Sequence, residues 1–180
     1  DNTVLLQFLA NTRHQWGYLL VSDGSWQQLL THMRWLTSFQ PPQDEEMYLR
    51  ISDPAVARAL FGPDVYPRSE LFGPCQQIIV ANMPLAGWTH FRRPSEVAIP
   101  MYEKPYTASD TQWAALLAVA FDKSIATLYL HMQRFFPEYR ADLCPQQRLE
   151  HTHQLSRSAI ERGFESEREI WLYANVFGSL

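Results

Sequence analysis

The longest helical pattern in the chain lies at residues 109–137, which read SDTQWAALLAVAFDKSIATLYLHMQRFFP. Ser109 and Gln112 have the spacing of a capping box, in which two side chains bond backbone N–H groups at the start of a helix. Mostly apolar residues then recur at helical spacing along one broad stripe. The stripe comprises Trp113, Leu116, Leu117, Ala120, Phe121, Ser124, Leu128, Met132 and Phe135. The pattern predicts one long helix, which Pro137 ends.

Two shorter helices are predicted after it. Pro145 suits the first position of a helix, where its missing N–H costs nothing, and Gly163 suits the end of the same helix. Ser166 and Glu169 form another capping box, ahead of an apolar last helix. Residues 109–180 are therefore predicted to form a three-helix lobe.

The part before residue 94 alternates short strand-like and helical runs. The strand-like runs are residues 16–22, 47–51, 75–82 and 87–92, and helices are predicted from Ser25 and from Asp53–Pro54. Residues 83–86 suit a hairpin loop between the last two strands. Residues 3–10 have the composition of a helix or of the end of one.

This order of elements predicts an α+β fold, with a mixed α/β part followed by helices. The mixed α/β lobe is predicted at residues 1–93 and the helical lobe at residues 109–180. Residues 94–108 contain three prolines and are predicted to be an irregular linker.

Composition narrows the possible functions. The 180 residues are 46% hydrophobic and 19% charged, and the net charge of −4 is divided evenly between the two parts. There is no basic block of the kind that binds nucleic acid. We find no signal sequence and no apolar run of the ~20 residues that a membrane span needs, so we expect a cytoplasmic protein without a membrane span.

The two cysteines, Cys75 and Cys144, are too few for a disulfide framework or a zinc site. A single bridge between them stays open, and two buried free thiols are the favoured prediction.

We find no motif for catalysis, a cofactor or a metal. His151 and His153 are two apart on a predicted helix and point in different directions, so they cannot share a metal ion. A triad of Asp23, Ser25 and His32 is conceivable, but helix capping and packing explain these residues equally well. The last two helices have the outline of a helix-turn-helix, although the second offers few side chains that bind DNA.

Several segments together resemble one known family, the type VI secretion adaptor proteins, also called effector chaperones (Tap or Tec). They are WGYLLVS (16–22), YLRISDP (48–54), LFGP (71–74), the Gln112–Trp113 helix start, HMQRFFP (131–137) and AIERGF (159–164). In this order they span nearly the whole chain. Ile51 stands where the family often has an aromatic residue. Family members usually carry a further N-terminal segment, so the mixed α/β lobe at residues 1–93 is expected to be the second half of a larger adaptor domain.

The resemblance implies a bacterial protein that is not an enzyme and has no cofactor. Such adaptors bind a toxic effector in the cytosol and help to seat it on the secretion spike protein, so the implied partners are an effector and a spike protein. The matched residues are expected to be structural: Arg50, Asp53, Pro54, Phe72, Gly73, Pro74, Trp113, His131, Phe136 and Pro137. Arg50 and Asp53 are expected to form a charged contact or a cap. Trp113, Phe135 and Phe136 are expected to fill the helical core.

Aromatic and methionine side chains between residues 83 and 106 are candidates for partner binding, because such residues often anchor protein interfaces. The candidates are Met83, Trp88, Phe91, Met101 and Tyr102. The favoured prediction, however, is that they cover a seam between the two parts, with partner binding as the alternative. Two other functions stay open: an enzyme of unrecognised class, and a DNA-binding regulatory module that uses the C-terminal helices.

Overall fold

The computed structural model describes residues 2–43, 45–82, 87–96 and 98–179. These residues form two compact units, residues 1–119 and 120–180. The helices are α1 (Thr3–Ala10), α2 (Trp26–Trp35), α3 (Pro54–Phe61), α4 (Asp110–Phe135), α5 (Pro145–Glu161) and α6 (Glu167–Gly178). The strands are β1 (Leu19–Ser22), β2 (Ser38–Gln40), β3 (Met47–Tyr48), β4 (Cys75–Ala81), β5 (Trp88–Arg92) and β6 (Tyr106–Thr107). The predicted α+β class is confirmed.

The first unit contains two small sheets. One is antiparallel with the strand order β1-β4-β5, and its register pairs Leu20 with Ile78 and Ile78 with Phe91. Side chains alternate between the faces of a strand, so these three lie on the same face. The second sheet has the order β3-β2-β6, and β6 runs parallel to β2. The predicted hairpin loop at residues 83–86 lies outside the described residues, as does Met83.

The core of the first unit combines side chains of the β1-β4-β5 sheet with side chains of helices α2 and α3. Its fully buried members include Phe39, Leu60, Leu71, Phe72 and Val80. The start of α4 adds Leu116 and the half-buried Trp113 to the same core. The prediction that Trp113 fills the helical core is therefore wrong, because the first turns of α4 pack in the first unit.

The predicted capping boxes are present. The backbone N–H of Gln112 donates to Ser109 Oγ at 3.2 Å, and that of Glu169 donates to Ser166 Oγ at 3.2 Å. Gln112 is also buried, and its Oε1 accepts from the Tyr106 hydroxyl at 2.8 Å. Its amide donates to the Leu60 carbonyl at 3.3 Å, so the cap of α4 is tied to α3 and β6.

The second unit consists of the rest of α4 with α5 and α6. Its buried core comprises Leu128, Met132, Leu155 and Ala174, with aromatic side chains packed around them. Pro145 begins α5, and Gly163 follows that helix with a φ of +87°. The predicted start and end signals of these helices are thus confirmed.

Helix α4 is also long and apolar enough to cross a membrane by length and composition alone, which the sequence analysis did not expect. Core helices of soluble proteins can have the same length and apolar composition. Here Asp122 and Lys123 occupy the middle of the helix, while Ile125 and Leu128 are almost fully buried.

Candidate protein-binding surface

The turn at Phe72, Gly73 and Pro74 is held from two sides. Phe72 is fully buried, and its ring lies 5.1 Å from that of Phe61, edge to face. The Pro74 carbonyl accepts a hydrogen bond from the Ser22 hydroxyl at 2.9 Å. Gly73 has a φ of +51°, and a Cβ atom there would lie 2.4 Å from Nδ1 of His32. Only glycine fits this position without strain.

His32 connects this turn to the rest of the unit. Its ring is buried, and Nε2 lies 2.9 Å from the Leu71 carbonyl oxygen. Since a carbonyl can only accept, Nε2 carries the proton, and Nδ1 is left to accept from the Tyr102 hydroxyl at 3.4 Å. Burial lowers the pKa of His32, and the bond to Leu71 partly opposes that shift. The ring is therefore neutral at physiological pH.

Residues 98–104 are attached to α2 by aromatic contacts. The indole Nε1 of Trp35 donates to the Lys104 carbonyl at 2.6 Å, and the Tyr102 ring stands edge-on to Trp35 at 5.5 Å. Tyr102 is still 43% exposed, Met101 is 63% exposed, and Ile99 is 81% exposed. This segment therefore presents apolar side chains to solvent while its backbone is anchored.

The other partner-binding candidates differ in exposure. Trp88 is half-buried and packs against Phe8 of α1, with the ring centroids 6.2 Å apart. Phe91 is buried in the first core, so its side chain serves the fold. Of the predicted set, Met101 and Tyr102 are the side chains that the structure presents together.

The motif around Asp53 is a helix start. Asp53 Oδ1 accepts from the backbone N–H of Ala55 at 2.9 Å, and Pro54 occupies the first turn of α3. Of the two roles expected for Asp53, the structure shows the cap. Arg50 is exposed, and its backbone carbonyl accepts from the Asp53 N–H at 3.1 Å.

The motif at the end of α4 organises the second unit. His131 Nε2 lies 2.9 Å from Asn175 Oδ1, and its ring centroid lies 4.8 Å from that of Trp171. Phe136 packs against the core, and Pro137 follows the end of α4. Phe135 is 58% exposed, so the prediction that it fills the helical core is wrong: its position on α4 turns it outward.

The conceivable triad is not assembled. Asp23 accepts from the Gln76 amide at 3.0 Å, Ser25 caps α2, and His32 makes the contacts given above. Within the described ranges, no group of three or more His, Cys, Asp or Glu side chains is placed to hold a metal ion. The Tyr139 hydroxyl lies 3.0 Å from Nε2 of His151, and His153 packs against Phe121.

The cysteines are both free, and they differ in exposure. Cys75 is buried, as predicted, whereas Cys144 is exposed at the N-cap of α5, so the prediction that both are buried is wrong. A residue at a helix start lies at the surface unless another element covers it. Burial raises the pKa of Cys75 to about 11.

One thiol should therefore react with Ellman's reagent in the native protein at pH 8, and the second only after denaturation, because the thiolate is the reactive form. The release of thionitrobenzoate measures both phases. The Cys144→Ser variant should lose the fast phase, and Cys75→Ser should keep it. Two fast thiols in the native protein would contradict the buried position of Cys75.

Sequence reasoning missed several exposed apolar side chains. Helix α1 buries none of its residues and exposes Val4, Leu5, Leu6 and Leu9. The available signal was its composition, TVLLQFLA, in which six of the eight residues are apolar. Exposed aromatic side chains elsewhere in the first unit are Trp16, Trp26, Tyr48 and Tyr66. The first unit thus offers apolar surface well beyond the segment at residues 98–104.

Comparisons with known proteins agree with the predicted resemblance. Residues 1–63 match a domain of unknown function, DUF4123. The chain is 25% identical over 180 residues to the accessory protein VasW of Vibrio cholerae serotype O1. The aligned part is 99% of this chain and 58% of that relative, so the chain spans little more than half of its length. No solved structure matches the chain. The N-terminal third therefore matches DUF4123, and the resemblance of the chain to the type VI secretion adaptor family is confirmed.

Proposed function

We propose that this protein is a cytoplasmic adaptor that binds a type VI secretion effector and helps to load it onto the spike protein. It acts by binding, not by catalysis. Support comes first from the similarity to an accessory protein across almost the whole chain. The effector and the spike protein are the proposed partners.

The observation that carries the proposal is the exposed apolar surface of the first unit. Ile99 and Met101 are exposed on a segment whose backbone is fastened by Trp35. A backbone segment that is held in place before binding loses little further conformational freedom when a partner covers its side chains, so it suits a binding protein.

Affinity purification from the native cytosol tests the proposal. The full-length protein is tagged and purified with its partners, and mass spectrometry identifies and quantifies what comes with it. We expect a toxin or a spike protein in stoichiometric amount, and neither with the tag alone. Recovery of a metabolite or nucleic acid, with no protein of a secretion system, would contradict the adaptor function.

A further inference from the structure

Strand β5 has a free edge. It is the last strand of the β1-β4-β5 sheet, and the Arg93 N–H donates to the Gln76 carbonyl of its neighbour at 3.0 Å. At the other end the Asn82 N–H donates to the Gly87 carbonyl at 2.9 Å. The backbone N–H and C=O groups of successive residues point to opposite sides of an antiparallel strand. Those of residues 87, 89, 91 and 93 therefore point toward β4. The N–H and C=O groups of residues 88, 90 and 92 then point away from it, and no described residue bonds them.

A groove of about 470 Å³ runs along this edge. Four consecutive residues of the strand, 89–92, line it. Their side chains alternate between the two faces of the sheet, so a groove that touches all four must follow the edge. The other residues that line the groove are Phe61, Pro63, Tyr66, Pro67 and Pro94. Three of these five are prolines, which have no backbone N–H to donate to the edge.

The charge of the groove is positive. His90 and Arg92 are exposed and lie two residues apart, so their side chains project from the same face of β5. Among the described residues that line the groove, none is acidic. Asp64 is next to Pro63 in the chain but is not part of the lining, and Arg93 is turned to the Gly73 carbonyl, 3.1 Å away.

We propose that the effector docks at β5 by adding an extended segment of its own chain as a fourth strand, with acidic side chains beside His90 and Arg92. The apolar side chains of this effector segment, which alternate with the acidic ones, lie against Phe61 and Tyr66. An added strand gains affinity from backbone hydrogen bonds and specificity from every second side chain. The identity of the partner rests on the proposed function, whereas the free edge and its charge do not.

Nuclear magnetic resonance of the full ¹⁵N-labelled chain tests the site. The probe is a short capped peptide that alternates glutamate and valine, and its control alternates lysine and valine. We expect the glutamate peptide to shift the amide signals of residues 88–92. The exposed charge of Arg92, which attracts glutamate and repels lysine, should make it bind about fivefold more tightly than the lysine peptide. Absence of these shifts, or equal binding of both peptides, would overturn the proposal.

Variants separate the contributions of charge and backbone. Arg92→Glu should weaken binding of the glutamate peptide and strengthen binding of the lysine peptide. Arg157→Glu makes the same charge change at an exposed site of the second unit and should alter the affinity for neither peptide. His90→Pro removes an outward N–H and should weaken binding about tenfold. Circular dichroism checks that each variant is folded. If His90→Pro does not fold, the result for Arg92→Glu alone tests the docking site.

The titration needs no effector, so its failure is distinguishable from failure of the proposed function. A negative titration, together with recovery of a toxin in the purification, would contradict only the docking site at β5. A positive titration with no secretion protein recovered keeps the strand edge as a peptide site but removes the effector as its occupant, which overturns the proposal as stated.

Discussion

Replacing Gly73 with alanine is expected to lower the free energy of unfolding by about 3 kcal/mol. The φ of +51° costs about 1–2 kcal/mol for a residue with a Cβ, and crowding in a packed core adds about 1–3 kcal/mol. The added carbon would lie 2.4 Å from the His32 ring, which its bond to the Leu71 carbonyl holds in place. Urea unfolding followed by circular dichroism measures the loss.

Gly163 provides the matched control for this change. Its φ is also positive, at +87°, but no atom lies within 4 Å of where its Cβ would be. Gly163→Ala should therefore cost only the backbone strain, about 1–2 kcal/mol. Equal losses for the two variants would show that the His32 ring does not restrict the turn.

The second large effect is expected for Phe72→Ala, at about 3–5 kcal/mol, because the change leaves a cavity in the core of the first unit. Phe72 is fully buried against Phe61. The control is Tyr48→Ala, which truncates an aromatic ring that is 82% exposed and should change stability by less than about 0.5 kcal/mol. Urea unfolding of both variants makes the comparison. A loss below about 1 kcal/mol for Phe72→Ala would contradict its place in the core.

The helix starts were predictable because their determinants are local. Asp53, Ser109 and Ser166 each bond a backbone N–H two or three residues further along the chain. Such pairs are visible as sequence spacing, whatever the rest of the chain does. The same reasoning located α5 from Pro145.

Features that join distant residues were not predictable in this way. Strand β6 has two residues and pairs with β2, more than 60 positions earlier, and no short sequence pattern marks such a strand. The apolar stripe of α4 predicted burial but not which core would receive Trp113. Register along the helix also did not reveal that Phe135 turns outward.

The candidate surface could be predicted only in part, because it too depends on contacts between distant residues. Met101 and Tyr102 were selected by residue type, and the structure exposes them. Their anchoring was not foreseen, because His32 bonds residues 39 and 70 positions away. The edge of β5 depends on strand order, which the sequence does not state.

Helix α4 limits how the protein can be dissected. Its first turns supply Trp113 and Leu116 to one core, and its last turns supply Leu128 and Met132 to the other. A fragment that stops at residue 108 would leave the first core open, and a cut inside the helix would expose apolar side chains at both new ends. Separate expression of the two units is therefore a poor route to stably folded pieces.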